Sequence, residues 1–180
     1  MNRRLFRDVI VDFMIASVLT AGVLTLFKTT VINGDSMENT LAEGDYVIMS
    51  KQAYKLKSPQ RGDIVLIESD LYDSVTGQKR LIIKRVVGMP GDSINIENNK
   101  LYINGEYYSE DYIKGDSTPA LDIPPQNSDV TVPEDHYYVL GDNRLSSVDS
   151  RTDMIGFIDS ACIKGKAVFR LYPFSTISRF

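Results

Sequence analysis

The spacing of apolar residues along this chain changes character once. From Val9 to Phe27 they run almost unbroken, as VIVDFMIASVLTAGVLTLF. Beyond residue 28 they return as short blocks separated by polar turns. The first pattern predicts a helix of about the 20 residues that cross a bilayer core. Asp12 interrupts it near its start, where a carboxylate can reach the headgroup region. Arg3, Arg4 and Arg7 precede the run, and positive charge on that side places the N-terminus in the cytoplasm. The expected layout is a cytoplasmic N-terminus over 1–8, a single-pass anchor in the cell membrane over 9–27 and an extracytoplasmic domain over 28–180. A cleaved signal peptide shows the same pattern, and a buried core helix is a third reading. FKTTVINGDS contains no small-x-small cleavage pattern, Lys28 follows the run directly, and the length is greater than a core helix needs.

The second pattern is that of strands. YVIMS (46–50), DIVLI (63–67), LIIKRVVG (81–88), SINIE (93–97), KLYING (100–105), YYVLGD (137–142) and KAVFRLY (166–172) are short and rich in β-branched and aromatic residues. Arg61-Gly62-Asp63, Pro90-Gly91-Asp92 and Asn104-Gly105 are the turn signals between them. INIENNKLYING reads as a hairpin turning at Asn98-Asn99. Residues 106–135 are polar, hold four of the seven prolines and predict a long loop or small subdomain. The expected fold is mostly β, a β-sheet domain on an N-terminal transmembrane helix.

Composition narrows the chemistry. A formal charge of −4 and the lack of a basic stripe interleaved with aromatics argue against nucleic acid as a partner. Cys162 and His136 are each the only residue of their type, too few for a Cys/His metal cluster, and no metal or organic cofactor is expected. A Ser-His-Asp triad would have to use His136, which stands where a loop enters a strand. Paired carboxylates have 24 acids to draw on and so no specificity. A lysine can activate a serine only when neutral, which demands burial. Lys84, flanked by Ile82, Ile83, Val86 and Val87, meets that demand if its strand is buried. A solvent-facing lysine on an edge strand is the competing reading.

GDSMENTL, RGDIVLI, IIKRVVGMPGD and GDNRLSSVDSR occur in this order and resemble the boxes of type I signal peptidases, in particular the smaller, singly anchored Gram-positive branch. Residues 106–135 lie outside those boxes. The resemblance implies a membrane-anchored Ser/Lys endopeptidase that removes signal peptides from exported preproteins. It makes Ser36 the nucleophile and Lys84 the general base, with Ser147 hydrogen-bonded to the lysine amine. Met37 and Ile83 would line the substrate pocket. Arg85, Asp142, Arg144, Asp149 and Arg151 would brace the site through ion pairs. The substrate would lie extended beside residues 81–84, with Ala-like residues one and three positions before the cut.

Two positions depart from the family pattern. The first box usually reads Ser-Met-x-Pro-Thr-Leu, whereas position 39 is Asn. If the backbone there accepts a φ near −65°, Asn39→Pro is expected to stabilise the turn. Some relatives carry an oxyanion-binding hydroxyl two residues before the nucleophile. That position is Gly34, which leaves the Ser36 backbone N–H to provide most of the oxyanion stabilisation. Three other readings stay open: a soluble repressor-type Ser/Lys autoprotease, a silent signal-peptidase-like scaffold for pilus assembly, and a membrane-anchored β adhesion module. The first would need a DNA-binding helix-turn-helix, the second would lose Ser36 or Lys84, and the third gives no reason for four ordered boxes.

Overall fold

A computed structural model describes residues 3–121 and 129–180, with side chains from Phe6 onward. Helix α1 (Arg3–Leu26) passes directly into strand β1 (Phe27–Val31). Within it Phe6–Leu26, with a mean hydropathy of 2.2, is long and apolar enough to cross a membrane, and none of it is buried against the domain. Phe27, expected to end the helix, instead opens β1. The helix ends where its last carbonyls find donors outside it: the Lys51 N–H donates to the Leu26 carbonyl and Lys51 Nζ to that of Leu24. Strand β1 escapes the sequence reading because FKTTV follows the apolar run without a turn signal and alternates weakly. Its pairing with β2 (Tyr46–Ser50) holds it in place.

Strands β3 (Ile64–Tyr72) and β4 (Lys79–Gly88) form a long antiparallel hairpin. The expected strand over 63–67 extends five residues further, since Tyr72 pairs with Lys79 across a turn in which the Asp73 carboxylate accepts the N–H groups of Val75 and Thr76. Strands β5 (Ser93–Glu97) and β6 (Lys100–Ile103) form the expected hairpin, with Asn98 and Asn99 both at positive φ, as a tight two-residue connection demands. The segment 106–135, expected as a long loop or small subdomain, carries a short strand toward each end. Strand β7 (Glu106–Tyr107) joins β6, β8 (Asp129–Thr131) joins β5, and residues 122–128 lie outside the described ones.

Strands β9 (His136–Leu140), β10 (Ile158–Asp159), β11 (Ile163–Tyr172) and β12 (Ser178–Arg179) complete two antiparallel sheets. The larger runs β1-β2-β11-β3-β4-β9-β10, with β12 on β11, and the smaller runs β7-β6-β5-β8. Alternation along β3 shows how the core divides. Ile64 and Leu66 pack with Ile32, Met37, Leu41, Val47 and Met49, while Val65 and Ile67 pack with Val86, Tyr137, Val139 and Ile158. At β3 both faces of the larger sheet are therefore covered, and the first of these clusters anchors the turn that carries Ser36. The fold is mostly β with one N-terminal apolar helix, as the residue pattern predicts.

Candidate active site

The chain leaves β1 through Ile32 and turns at Gly34, whose φ of +87° is open to glycine and costly for other residues. Ser36 follows, half-buried, and Met37 drops into the core at 2% exposure. The Leu41 N–H donates to the Met37 carbonyl at 2.8 Å, closing the turn. A buried methionine thus fixes the seat of a serine left partly open. Among the described residues, no backbone carbonyl accepts the Ser36 N–H.

Lys84 comes to this turn from β4, where it pairs with Val65 of β3. Its side chain is buried at 4% exposure, and Nζ lies 2.6 Å from Ser36 Oγ. Among the described residues no carboxylate forms an ion pair with it. Burial pushes the amine down from 10.5 to about 8; Arg151 acts in the same direction, and Asp149, Asp142 and Asp35 oppose it from a distance. The solvent-facing reading of Lys84 fails because its side chain is buried, not because its strand is paired on both sides. The β4–β9 pairing begins only at Arg85, so among the described residues one edge of Leu81–Lys84 carries no strand partner. That edge borders a groove of about 750 Å³ lined by Ile32, Ser36, Met37, Leu66, Ile83 and Lys84, among others.

The bracing residues fall into bidentate pairs. Arg85 donates to Asp142 through Nε (2.8 Å) and Nη2 (2.6 Å), and Arg151 to Asp149 through Nε (2.8 Å) and Nη2 (2.9 Å). Arg144 pairs with neither aspartate. Its guanidinium meets both oxygens of Glu110, at 2.6 and 2.5 Å, and also bonds Thr118. Sequence reasoning missed Glu110. The signal was a charge count: among the residues assigned to bracing, three arginines faced two aspartates, and a buried guanidinium needs a carboxylate.

Asn143 was missed as well. Its N–H donates to the Ser36 carbonyl at 3.0 Å and its amide to the Asp35 carbonyl at 3.2 Å, so the 141–144 loop grips the nucleophile turn from behind. Ser146 Oγ donates to the Asp35 carboxylate, and that hydrogen bond holds the carboxyl below its usual range.

Two positions differ from the contacts expected of them. The Ser147 hydroxyl is buried and makes no hydrogen bond among the described residues, to the lysine amine or otherwise. It sits over Gly141, where a Cβ would overlap both Ser147 Oγ and the Ser36 carbonyl oxygen. Asn39 has a φ of +88°, far from proline's −65°, and its amide donates to the carbonyls of Tyr112 (3.3 Å) and Ile113 (3.4 Å). His136 is engaged with the Glu134 carbonyl and does not line the groove. Among the described residues no group of three or more His, Cys, Asp or Glu could hold a metal ion.

Residues 6–172 match the signal peptidase, peptidase S26 family, a stretch that includes the 106–135 segment the four boxes leave out. A probable signal peptidase I-2 of Synechocystis is 35% identical over 159 residues, covering 88% of this chain and 69% of the relative. Signal peptidase IB of Staphylococcus aureus is 34% identical over 181 residues, covering 93% and 88%. A crystal structure of a signal peptidase I from Enterococcus faecalis is 33% identical, covers 62% of this chain and 98% of its own, and superposes with a TM-score of 0.46. A match over nearly the whole length and relatives at a third identity leave one conclusion: the chain belongs to the S26 signal peptidase family.

Proposed function

We propose that Ser36 and Lys84 are the catalytic pair of a signal peptidase that cuts exported preproteins after small-x-small motifs at the outer membrane face. The observation that carries this reading is the 2.6 Å contact between a half-open serine and a buried lysine whose amine titrates near 8. Neutral Lys84 takes the Ser36 proton while Oγ attacks the peptide carbonyl carbon. The tetrahedral intermediate collapses to an ester, and the proton leaves on the departing amine. Lys84 then activates the water that hydrolyses the ester. The free Ser36 N–H suits the developing oxyanion, in keeping with Gly34 offering no hydroxyl there. We assign the unpartnered Ser147 hydroxyl to orienting the amine during turnover.

The open edge of Leu81–Lys84 supports an extended substrate added as a further strand, with Met37 and Ile83 shaping the pocket before the cut. Helix α1, fused to β1 and tied to Lys51, supports a single-pass anchor with the N-terminus cytoplasmic and residues 28–180 outside, against the bilayer where a signal peptide emerges. Protease shaving of intact cells or spheroplasts should degrade residues 28–180, and full protection would reverse that topology. The chemistry is tested with a model preprotein and purified protein in detergent. Wild type should release mature protein and Ser36→Ala should not; cleavage by Ser36→Ala would exclude Ser36 as nucleophile.

A further inference from the structure

Residues 107–121 lie across the outside of the catalytic loop, and their contacts are more than packing. Glu110 holds Arg144 bidentately with both side chains almost sealed from solvent, at 3% and 0% exposure. Arg144 Nε donates to the Gly141 carbonyl at 2.9 Å, and Gly141 is packed against the Ser36 carbonyl oxygen with no room for a Cβ. The same segment makes a second hold on the loop, the Lys114 N–H donating to the Asp142 carbonyl at 2.8 Å. Tyr112 links the two. Its hydroxyl donates to Glu110 at 2.6 Å and its ring lies 4.0 Å from the Arg85 guanidinium. The 141–143 loop is thus clamped between this strap and the nucleophile turn, which it meets through the Asn143 N–H on the Ser36 carbonyl.

We infer that Glu110 is a positioning residue of the peptidase: through Arg144 and the Gly141 carbonyl it fixes the backbone on which Ser36 rests against Lys84. The inference builds on the proposed Ser36–Lys84 pair. Glu110 does not touch the reacting atoms. Its loss frees the loop to shift, and a sub-ångström displacement of Ser36 lengthens the 2.6 Å contact on which proton transfer depends. The substrate groove keeps its walls from β1, β3 and β4, while Ser36, Met37, Ser146 and Val148 border it from the nucleophile turn and the loop beyond Asn143.

The test is steady-state cleavage of a signal-sequence peptide by full-length protein in detergent, with active sites counted by a serine-acylating probe. Glu110→Gln should lower kcat per counted site by roughly 10- to 100-fold with KM nearly unchanged, and Glu110→Asp should recover part of it. A purely structural role would reduce the number of active sites and leave kcat per site at the wild-type value, which would overturn the inference. If Glu110→Gln does not fold, the double variant Glu110→Met with Arg144→Met removes both charges together, a change buried pairs often tolerate. Its kcat should stay as low as that of Arg144→Met alone. A return to wild-type kcat would overturn the inference too. Cleavage by Ser36→Ala in the same assay would fault the Ser36–Lys84 reading instead.

Discussion

Lys84 and Arg85 are consecutive residues of one strand, both buried cations, and the fold treats them in opposite ways. Arg85 has a bidentate carboxylate, the Gly62 carbonyl at 2.9 Å and an aromatic ring beside it. Burial alone would lower its pKa, yet the hydrogen bonds and charge of Asp142 outweigh that and raise it. Lys84 is also desolvated by burial, but with a serine hydroxyl in place of a carboxylate, and its amine falls to about 8. A buried cation that is paired gives rigidity; one left unpaired becomes a base near neutral pH. The ion pairs around the site keep the strand and loop fixed while no acid reaches Lys84 itself.

The contrast breaks most completely at the lysine. Lys84→Met should abolish preprotein cleavage, and so should Lys84→Arg, since a guanidinium stays charged at any usable pH. Stability should move the other way in Lys84→Met. The folded pKa near 8 lies below the unfolded value near 10.5, so between those values the unfolded chain binds the extra proton. The cost of holding the cation is fully present below pH 8 and fades as pH rises toward 10.5. Relieving it is worth on the order of 3 kcal/mol at neutral pH. Denaturant melts should therefore find Lys84→Met inactive and no less stable than wild type, and wild type more stable at pH 9 than at pH 7. A destabilised Lys84→Met would mean that the amine is paired.

Breaking the partnered side should do the reverse. Asp142→Ala leaves Arg85 buried without its carboxylate, at a cost of about 3–5 kcal/mol readable in the same melts. The distant Asp142 charge also raises the Lys84 pKa, so in this variant the acid limb of any remaining activity should lie at lower pH.

These two residues also show how much of the site was legible in sequence. Seven of the twelve strands among the described residues and the hairpin at Asn98-Asn99 follow from local pattern, and Ser36 and Lys84, which the structure brings together, were singled out by a buried-looking lysine and four ordered boxes. Strand β1 carries no such pattern, because its hydrogen bonds come from β2 and its side chains stay exposed. Glu110 lies 34 residues from Arg144 in a polar stretch with no periodicity, and only the one bracing arginine left without an aspartate pointed to it. The backbone at Asn39 is a tertiary outcome, held by carbonyls of the strap over 70 residues away. A proline at that position stabilises the turn only if the backbone accepts a φ near −65°; at +88° that condition is not met, and Asn39→Pro should cost roughly 1–3 kcal/mol. Thermal unfolding of Asn39→Pro decides this, and a raised Tm would refute the left-handed turn.

The smallest effect sharpens the comparison from the surface. Lys114 and Glu38 approach to 2.5 Å across the edge of the strap, but the lysine is half exposed. Solvent screens such a pair, so Lys114→Ala should shift stability only marginally. A larger loss in denaturant titration would put the strap's hold on the nucleophile turn at its rim and not at its buried pairs.

The central claim is that Lys84 works as a neutral amine because it is buried without a carboxylate. The pH dependence of kcat/KM for a signal-sequence peptide measures this in the free enzyme. With a pKa near 8, about a tenth of the amine is neutral at pH 7, and kcat/KM should rise roughly tenfold per pH unit before levelling off near pH 9. The profile should be unchanged in His136→Ala and by chelators. A single limb near 8 is the predicted result; a limb above 10, or a plateau reached already at pH 6, would contradict it.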